Sequence, residues 1–298
     1  MYHNPVLLTE SIDGLSIKPE GTYVDVTFGG GGHSREILSR LGNGRLFAFD
    51  QDEDALANTI SDSRFTLINS NFRFLIHFLR FHNVLPVDGI IADLGISSHQ
   101  IDTPARGFST RYEGDLDMRM SKSIKQSAAD VINSYEENRL LSVFREYGEI
   151  DNARRLASCI VEVRENQAIQ TIQEFKEAIR SCVPRQTENK YLAMVFQALR
   201  IEVNKELENL KEMLKQAHQS LAVGGMISII AYHSLEDRLV KNYLKAGNFE
   251  GTLEKDFYGN VNSNFRNITR KPITPTTQEL EANQRSRSAK LRIAEKIS

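Results

Sequence analysis

VDVTFGGGGHSREIL, residues 24–38, gathers an acid, four glycines and a histidine in one short stretch. Asp25 lies in an apolar run that reads as a strand, and Ser34 opens an amphipathic run that reads as a helix. Four glycines cost backbone entropy, so the simplest reading of the run is a loose loop. The sharper reading is a backbone that approaches a ligand too closely for side chains to fit. A turn between a strand and a helix N-terminus offers amide N–H groups to a carboxylate or phosphate. Asp50 closes the next apolar run, RLFAFD, 21 positions after Gly29. An acid at such a strand end is suited to hold the two hydroxyls of a ribose. Together these residues point to a nucleoside-bearing cofactor. Gly29-Gly30-Gly31-Gly32-His33-Ser34 contains G-x-G but lacks the last glycine of G-x-G-x-x-G. That weakens a nicotinamide dinucleotide against S-adenosylmethionine.

A second group follows at ADLGISSHQ, which puts Asp93 at the exit of another strand. Its carboxylate is placed to accept a hydrogen bond from an amino group of cofactor or substrate; the commonplace use of such an Asp is to cap its own turn. Gln100, Arg106 and Arg111 come next in a long polar loop, and LDMRM adds Asp115, Asp117 and Arg119, which also fit a local salt-bridge cluster of little energetic weight. YHSLEDR, residues 232–238, reads as Ser234 capping a helix with Glu236 and Asp237 in its first turn. G-x-S-x-G is absent, so Ser234 and His233 carry no hydrolase signature.

These groups need elements to hold them. Thr22–Phe28, RLFAFD, RFTLIN and VDGIIADLG read as four strands. Between them, Ser34–Leu41, QDEDALANTI and FRFLIHFLRF read as helices, with Gly42 past the end of the first. Alternating strands and helices imply an α/β fold, with a parallel sheet covered on both faces and ligands at one edge of it. From Arg106 to about residue 200 no strand pattern appears. Ser134–Glu137 and Thr171–Glu174 look like capping boxes, Asp151 is placed to cap a helix, and Pro184 ends one. A helix is expected from about Tyr191 to Leu221, then a fifth strand, MISIIAYH, a helix over SLEDRLVKNYL, and two strand-like runs, RNITRKPI and AKLRIAEKI. The expected division is residues 1–105 and 201–298 for the α/β domain, with 106–200 as a helical insert.

The bulk properties exclude several classes. With 40% hydrophobic and 26% charged residues the chain is of ordinary globular composition. No apolar run approaches the roughly 20 residues of a membrane span, and MYHNPVLLTESIDG is unlike a signal peptide, so a cytoplasmic protein is expected. Cys159 and Cys182 make no CxxC pair, and no metal is expected. The net charge is −2, yet residues 264–298 carry eight Lys or Arg against three Glu, a net +5. A basic tail on a near-neutral chain suits a polyanionic partner, and equally a solvated surface.

HNPVLLTE, YVDVTFGGGGHS, FAFDQD, DGIIADLGISSHQID, RGFS, LDMRM, FQALRIEVNKEL, YHSLEDRLVK and SRSAKLR occur in this order over nearly the whole chain. In them the sequence resembles one family, the bacterial methyltransferases that act on N4 of a cytidine in the decoding region of small-subunit (16S) ribosomal RNA. The resemblance implies a Rossmann-like class I methyltransferase sheet interrupted by a helical substrate domain, with S-adenosylmethionine as cofactor. It implies Gly31, Gly32 and His33 at the methionine end of the cofactor, Asp50 on the ribose, Phe72 beside the adenine, and Asp93 and Gln100 completing the contacts. Asp93 is also the candidate catalytic carboxylate. Arg106, Arg111, Arg285 and Arg287 are the candidate RNA contacts, and a homodimer fits the family. The sequence departs from the pattern at Tyr232, where Phe is usual, at Gln284, where Pro or Ala is common, and in NKYLAMVF. These departures bear on packing and RNA contact. Two other readings remain: a non-catalytic RNA-binding or ribosome-assembly protein, and a nicotinamide-dependent oxidoreductase, which fits the sheet but not the glycine spacing.

Overall fold

The computed structural model describes residues 5–253 and 263–298; His3 and Asn4 of the HNPVLLTE motif lie outside them. The chain forms two compact units, one of residues 1–95 with 207–298, the other of residues 96–206. These breaks fall at 95/96 and 206/207, not at 105/106 and 200/201. The helix after Gly95 and its following turn belong with the second unit, and so does the helix that runs on to Asn204.

The first unit is built on a seven-stranded sheet in the order β3-β2-β1-β4-β5-β7-β6. The strands are β1 (Thr22–Asp25), β2 (Arg45–Asp50), β3 (Phe65–Asn69), β4 (Val87–Asp93), β5 (Leu221–Ala231), β6 (Phe265–Asn267) and β7 (Lys290–Lys296). Strands β1 to β5 run parallel, while β7 lies antiparallel to β5 and to β6. The order reverses beside β1, so the exits of β1 and β4 flank the crevice where such sheets take ligands.

Side chains alternate across the sheet with period two. Val24, Phe47, Phe49, Ile90, Ala92, Ile227 and Ile229 share one core with Leu75 and Leu79 of α3 (Leu75–Phe81), with Leu210 and Leu214 of α10 (Glu206–Ser220) and with Val240 and Leu244 of α11 (Ser234–Ala246). Tyr23, Leu46, Ile91 and Ile230 face the other side, toward Ile12 of α1 (Leu8–Asp13) and Ile37 and Leu38 of α2 (Gly32–Arg40). Helices on both faces follow from these continuous apolar strands, as the sequence implies.

The second unit is made of helices: α4 (Ser98–Asp102), α5 (Ala128–Ser134), α6 (Glu137–Gly148), α7 (Ala153–Arg164), α8 (Ile172–Ala178) and α9 (Glu188–Asn204), with short 3₁₀ turns and one isolated bridge between Asp115 and Thr171. The remaining helix, α12 (Thr277–Ala282), precedes β7 in the first unit. The Thr171–Glu174 capping box is present. The box expected at Ser134–Glu137 does not form: α6 has Glu136 at its start with no side-chain cap, and Ser134 ends α5, where it donates to the Asp130 carbonyl at 2.6 Å; Ser127 and Asp130 form the capping box of α5. Asn152, not Asp151, stands at the start of α7, and His233, not Ser234, caps α11. QDEDALANTI gives only a 3₁₀ turn, Glu53–Asn58.

The helix expected over residues 191–221 breaks at Lys205, which has φ of 51°. Asn204 explains the break. Its Nδ2 donates to the carbonyls of Arg200 (2.9 Å) and Met118 (2.8 Å), and its Oδ1 accepts from the Met120 amide (2.8 Å). The long polar loop, whose Met118 has φ of 60°, is therefore fastened to the end of α9 through one buried amide. Asn204→Ala leaves the Met120 N–H and Met118 C=O without this partner. A loss of about 2–4 kcal/mol in urea-denaturation stability is expected; a loss below about 1 kcal/mol removes this role.

Candidate cofactor site

The glycine run is held rigidly. Beyond β1, Val26 donates to Ile91 in β4 and Phe28 to Phe49 in β2, both at 2.9 Å, so the chain splays where the crevice opens. The Gly29 amide donates to Asp50 Oδ2 (2.7 Å), Gly31 N–H to the Phe28 carbonyl (2.7 Å), Asn58 Nδ2 to the Gly29 carbonyl (2.9 Å) and Arg35 to the Gly30 carbonyl (2.5 Å). Close approach does require glycine here, but the approaching groups belong to the protein itself. A Cβ at Gly31, where φ is +75°, would lie 2.8 Å from the Phe28 ring, and one at Gly32 would lie 2.1 Å from Pro5. Replacing Gly31 with Val would thus disturb the turn as well as any ligand.

Behind the turn lies Asp25, which is buried. Its Oδ1 accepts from Thr27 N–H (3.0 Å) and its Oδ2 from Ser34 Oγ (2.7 Å). Burial pushes its pKa up, opposed first by His33 and then by Ser34 and Thr27. The sequence signal for Asp25 was an acid inside an apolar strand, but nothing in sequence showed that it ties the turn to α2. Gly31 precedes α2 and gives it no side-chain cap, so the first amides of α2 are directed at whatever occupies the crevice.

Asp50 ends β2, half-buried. It accepts from Gly29 N–H and, through Oδ1, from Asp52 N–H (2.9 Å). Burial raises its pKa to about 6, against the pull of those two amides, with the charges of Asp52 and Asp25 adding to the rise. Asn69 of β3 pairs with Asp50. Just beyond it, Asn71 donates to Gln51 Oε1 (2.6 Å) and Phe72 opens a 3₁₀ turn, so Phe72 comes to the same sheet edge as Asp50.

Asp93 ends β4, across the strand-order reversal. Its amide donates to Thr27 Oγ1 (2.6 Å), and its side chain, 24% exposed, accepts at Oδ1 from the Tyr232 phenol (2.7 Å). His33 Nδ1 lies 3.9 Å from Oδ2. His33 Nε2 is 3.2 Å from the Val6 carbonyl, which only accepts, so that nitrogen carries a hydrogen. Burial raises the Asp93 pKa, opposed by His33 and then Tyr232. Tyr232 is the site residue that the sequence did not mark as one; its phenol replaces a ring with no donor.

The structure therefore brings Gly31, Gly32, His33, Asp50, Phe72 and Asp93 to one edge of one sheet. Gln100 sits in the second unit, where it completes a capping box with Ser97 at the start of α4. The four arginines divide between the units. In the second, Arg106 is half-buried, donates to the carbonyls of Arg119 and Met120 (3.1 Å each) and lies over the Phe108 ring, while Arg111 is exposed. In the first, Arg285 and Arg287 are exposed on the turn before β7. Part of the tail's positive charge is engaged within the protein, since Arg266 pairs with Glu295, and Arg292 (2.7 Å) and Lys290 (3.6 Å) with Asp237. Arg119 forms the local pair with Asp117 at 2.7 Å.

Asp50 and Asp93 at their strand ends, with Asp25 buried behind the turn, make an acidic sheet edge beside a helix N-terminus. Carboxylate acceptors beside free amide donors suit a ligand with a ribose, a cationic centre and a single carboxylate. They do not suit a pyrophosphate. Fold and site together define a nucleoside-cofactor-binding α/β protein of the methyltransferase type. Residues 1–297 match the MraW methylase family, and the chain belongs to it; it is a methyltransferase, with S-adenosylmethionine as methyl donor. It is 59% identical over 297 residues to a protein of Flavobacterium johnsoniae named ribosomal RNA small subunit methyltransferase H, covering 99% of this chain and 98% of that one. A protein of Bacteroides thetaiotaomicron with the same name is also 59% identical, over 99% and 97% of the two chains. A solved rRNA methylase from Streptococcus thermophilus overlays with a TM-score of 0.44 at 15% identity, over 97% of this chain and 95% of the other.

A raised Asp50 pKa means that the folded protein holds a proton which the unfolded chain has released. Stability from Asp50 is then fully present below about pH 4 and lost as pH rises through about 6. In the protein without cofactor, Asp50→Asn should gain on the wild type as pH goes from about 4 to 6, and by a constant amount above that. Urea denaturation at several pH values checks this; a difference independent of pH removes the assignment.

Proposed function

We propose that this methyltransferase modifies the exocyclic N4 of a cytidine in the decoding region of 16S ribosomal RNA. The observation that carries the reading is the acidic crevice at the strand-order reversal, in a chain of a methylase family whose relatives at 59% identity are named for small-subunit ribosomal RNA. The N4 position rests on the resemblance of the motifs.

When bound, S-adenosylmethionine supplies an electrophilic sulfonium methyl. The first amides of α2, at Gly32 and His33 after the Gly31 turn, would hold its methionine carboxylate, and Asp50 would hold its ribose. Phe72 would lie beside its adenine. Gln100 enters the cofactor set on the resemblance alone.

The cytosine amine is a weak nucleophile, because its lone pair is delocalised into the ring. Alignment is therefore the protein's main task, with amine and methyl carbon at roughly 3–3.5 Å and in line with the bond that breaks. The amine must also lose a proton. Asp93, at the sheet edge with its second oxygen toward His33, is the carboxylate placed to accept a hydrogen bond from an amino group. The base must be unstacked to reach such a crevice. Arg111, Arg285 and Arg287 would meet phosphates, whereas Arg106 would act by shaping its own loop. The homodimer and the cytoplasmic location belong to the same reading.

Mass spectrometry of small-subunit RNA from cells lacking the protein should show one N4-methylated cytidine gone. An unchanged profile would leave a non-catalytic assembly role instead. Asp93→Ala should abolish methyl transfer in vitro. Calorimetric binding of S-adenosylmethionine by the same variant assigns the role: normal binding makes Asp93 catalytic, and lost binding makes it a cofactor ligand.

A further inference from the structure

Tyr232 follows directly on β5 and crosses to the exit of β4. Its phenol donates to Asp93 Oδ1 at 2.7 Å, and its own amide donates to Glu236 Oε2 at 3.0 Å. The ring lies over the backbone at Gly95, where φ is +98° and a Cβ would stand 3.4 Å from the ring. The tyrosine is thus fixed at three points: backbone, ring face and hydroxyl. The Asp93 carboxylate is fixed at one oxygen, with Oδ2 left on the side of His33.

We propose that Tyr232 is a positioning residue of the methyl-transfer site, clamping one oxygen of Asp93 and leaving the other for the ligand. The proposal rests on the reading of Asp93 as a site residue. A buried carboxylate with no donor would rotate, and would take up a proton more readily. The phenol counters both tendencies at once. Burial and the charge of Asp93 hold the phenol well above its usual pKa, so it remains a donor throughout the neutral range. The groups that act on Asp93 come from four elements: His33 on α2, which favours its ionised form, Asp25 at β1 and Glu236 on α11, which oppose it, and Tyr232 itself. Glu279 on α12 acts on the phenol. Only Tyr232 gives Asp93 a side-chain hydrogen bond among the described residues.

Tyr232→Phe removes one oxygen and keeps the ring over Gly95. The probe is S-adenosylmethionine, titrated calorimetrically against wild type and variant from pH 5 to 9. An ionised Asp93 favours the cationic ligand, so binding weakens on the acid side as Asp93 takes up a proton. Without the phenol that limb should move up by about one pH unit, making binding about tenfold weaker at a pH on the limb and nearly equal at pH 9. A second variant keeps the hydroxyl: 3-fluorotyrosine at position 232 is a stronger donor of nearly the same size and should move the limb the other way. A change in thermal stability with no shift of the limb in either variant overturns the proposal and leaves Tyr232 a packing residue. Asp93→Asn separates the two ideas. If it binds with the wild-type affinity and profile, the reading of Asp93 fails. If it removes the limb while both Tyr232 variants leave the limb in place, only the role of Tyr232 fails.

Discussion

The buried carboxylate of Asp25 is the constraint on which the site depends. It stands at the end of β1 and takes hydrogen bonds from Thr27 in the turn and Ser34 in α2. Strand, turn and helix are thereby held to one acceptor. An unpaired carboxylate at this depth would be strongly disfavoured, so the turn must close with both donors in place. Once it closes, the Thr27 hydroxyl is presented to the Asp93 amide, and Gly29 is presented to Asp50. The three strand exits are coupled through a single loop.

That coupling explains why acids can gather here. Asp25, Asp50 and Asp93 all carry raised pKa values, with burial as the first cause of each. Each is restrained by donors of its own: Ser34 and Thr27, the amides of Gly29 and Asp52, and the Tyr232 phenol. Burial disfavours the ionised form of each, and those donors oppose it.

The second unit obeys different physics. Its core is helical, and its long segment holds its shape without periodicity, by burying Phe108, Leu116, Met118 and Met120 in that core and by polar fastening. Asn204 secures the Met118–Met120 stretch, and Arg106 holds the carbonyls of Arg119 and Met120. A loop arginine that looks like a phosphate ligand by composition can therefore have duties within the loop, as Arg106 does.

Local pattern determined a good deal. Short apolar runs marked the strands, the glycine run and Asp50 marked a candidate nucleoside site, and the motif order marked the family, because each of these signals is written in neighbouring residues. Helix ends were less legible. Ser134, Asp151 and Ser234 all had the right chemistry for caps, but Glu136, Asn152 and His233 stand at the helix starts. Lys205 carries no signal of a break, since its left-handed backbone answers to Asn204 and a loop more than eighty positions earlier. The sequence could not show that Gly31 and Gly32 make room for Phe28 and Pro5, or that Tyr232 meets Asp93 from 139 positions away. Those facts depend on which strands lie side by side, and the sheet settles that only when the whole core is buried.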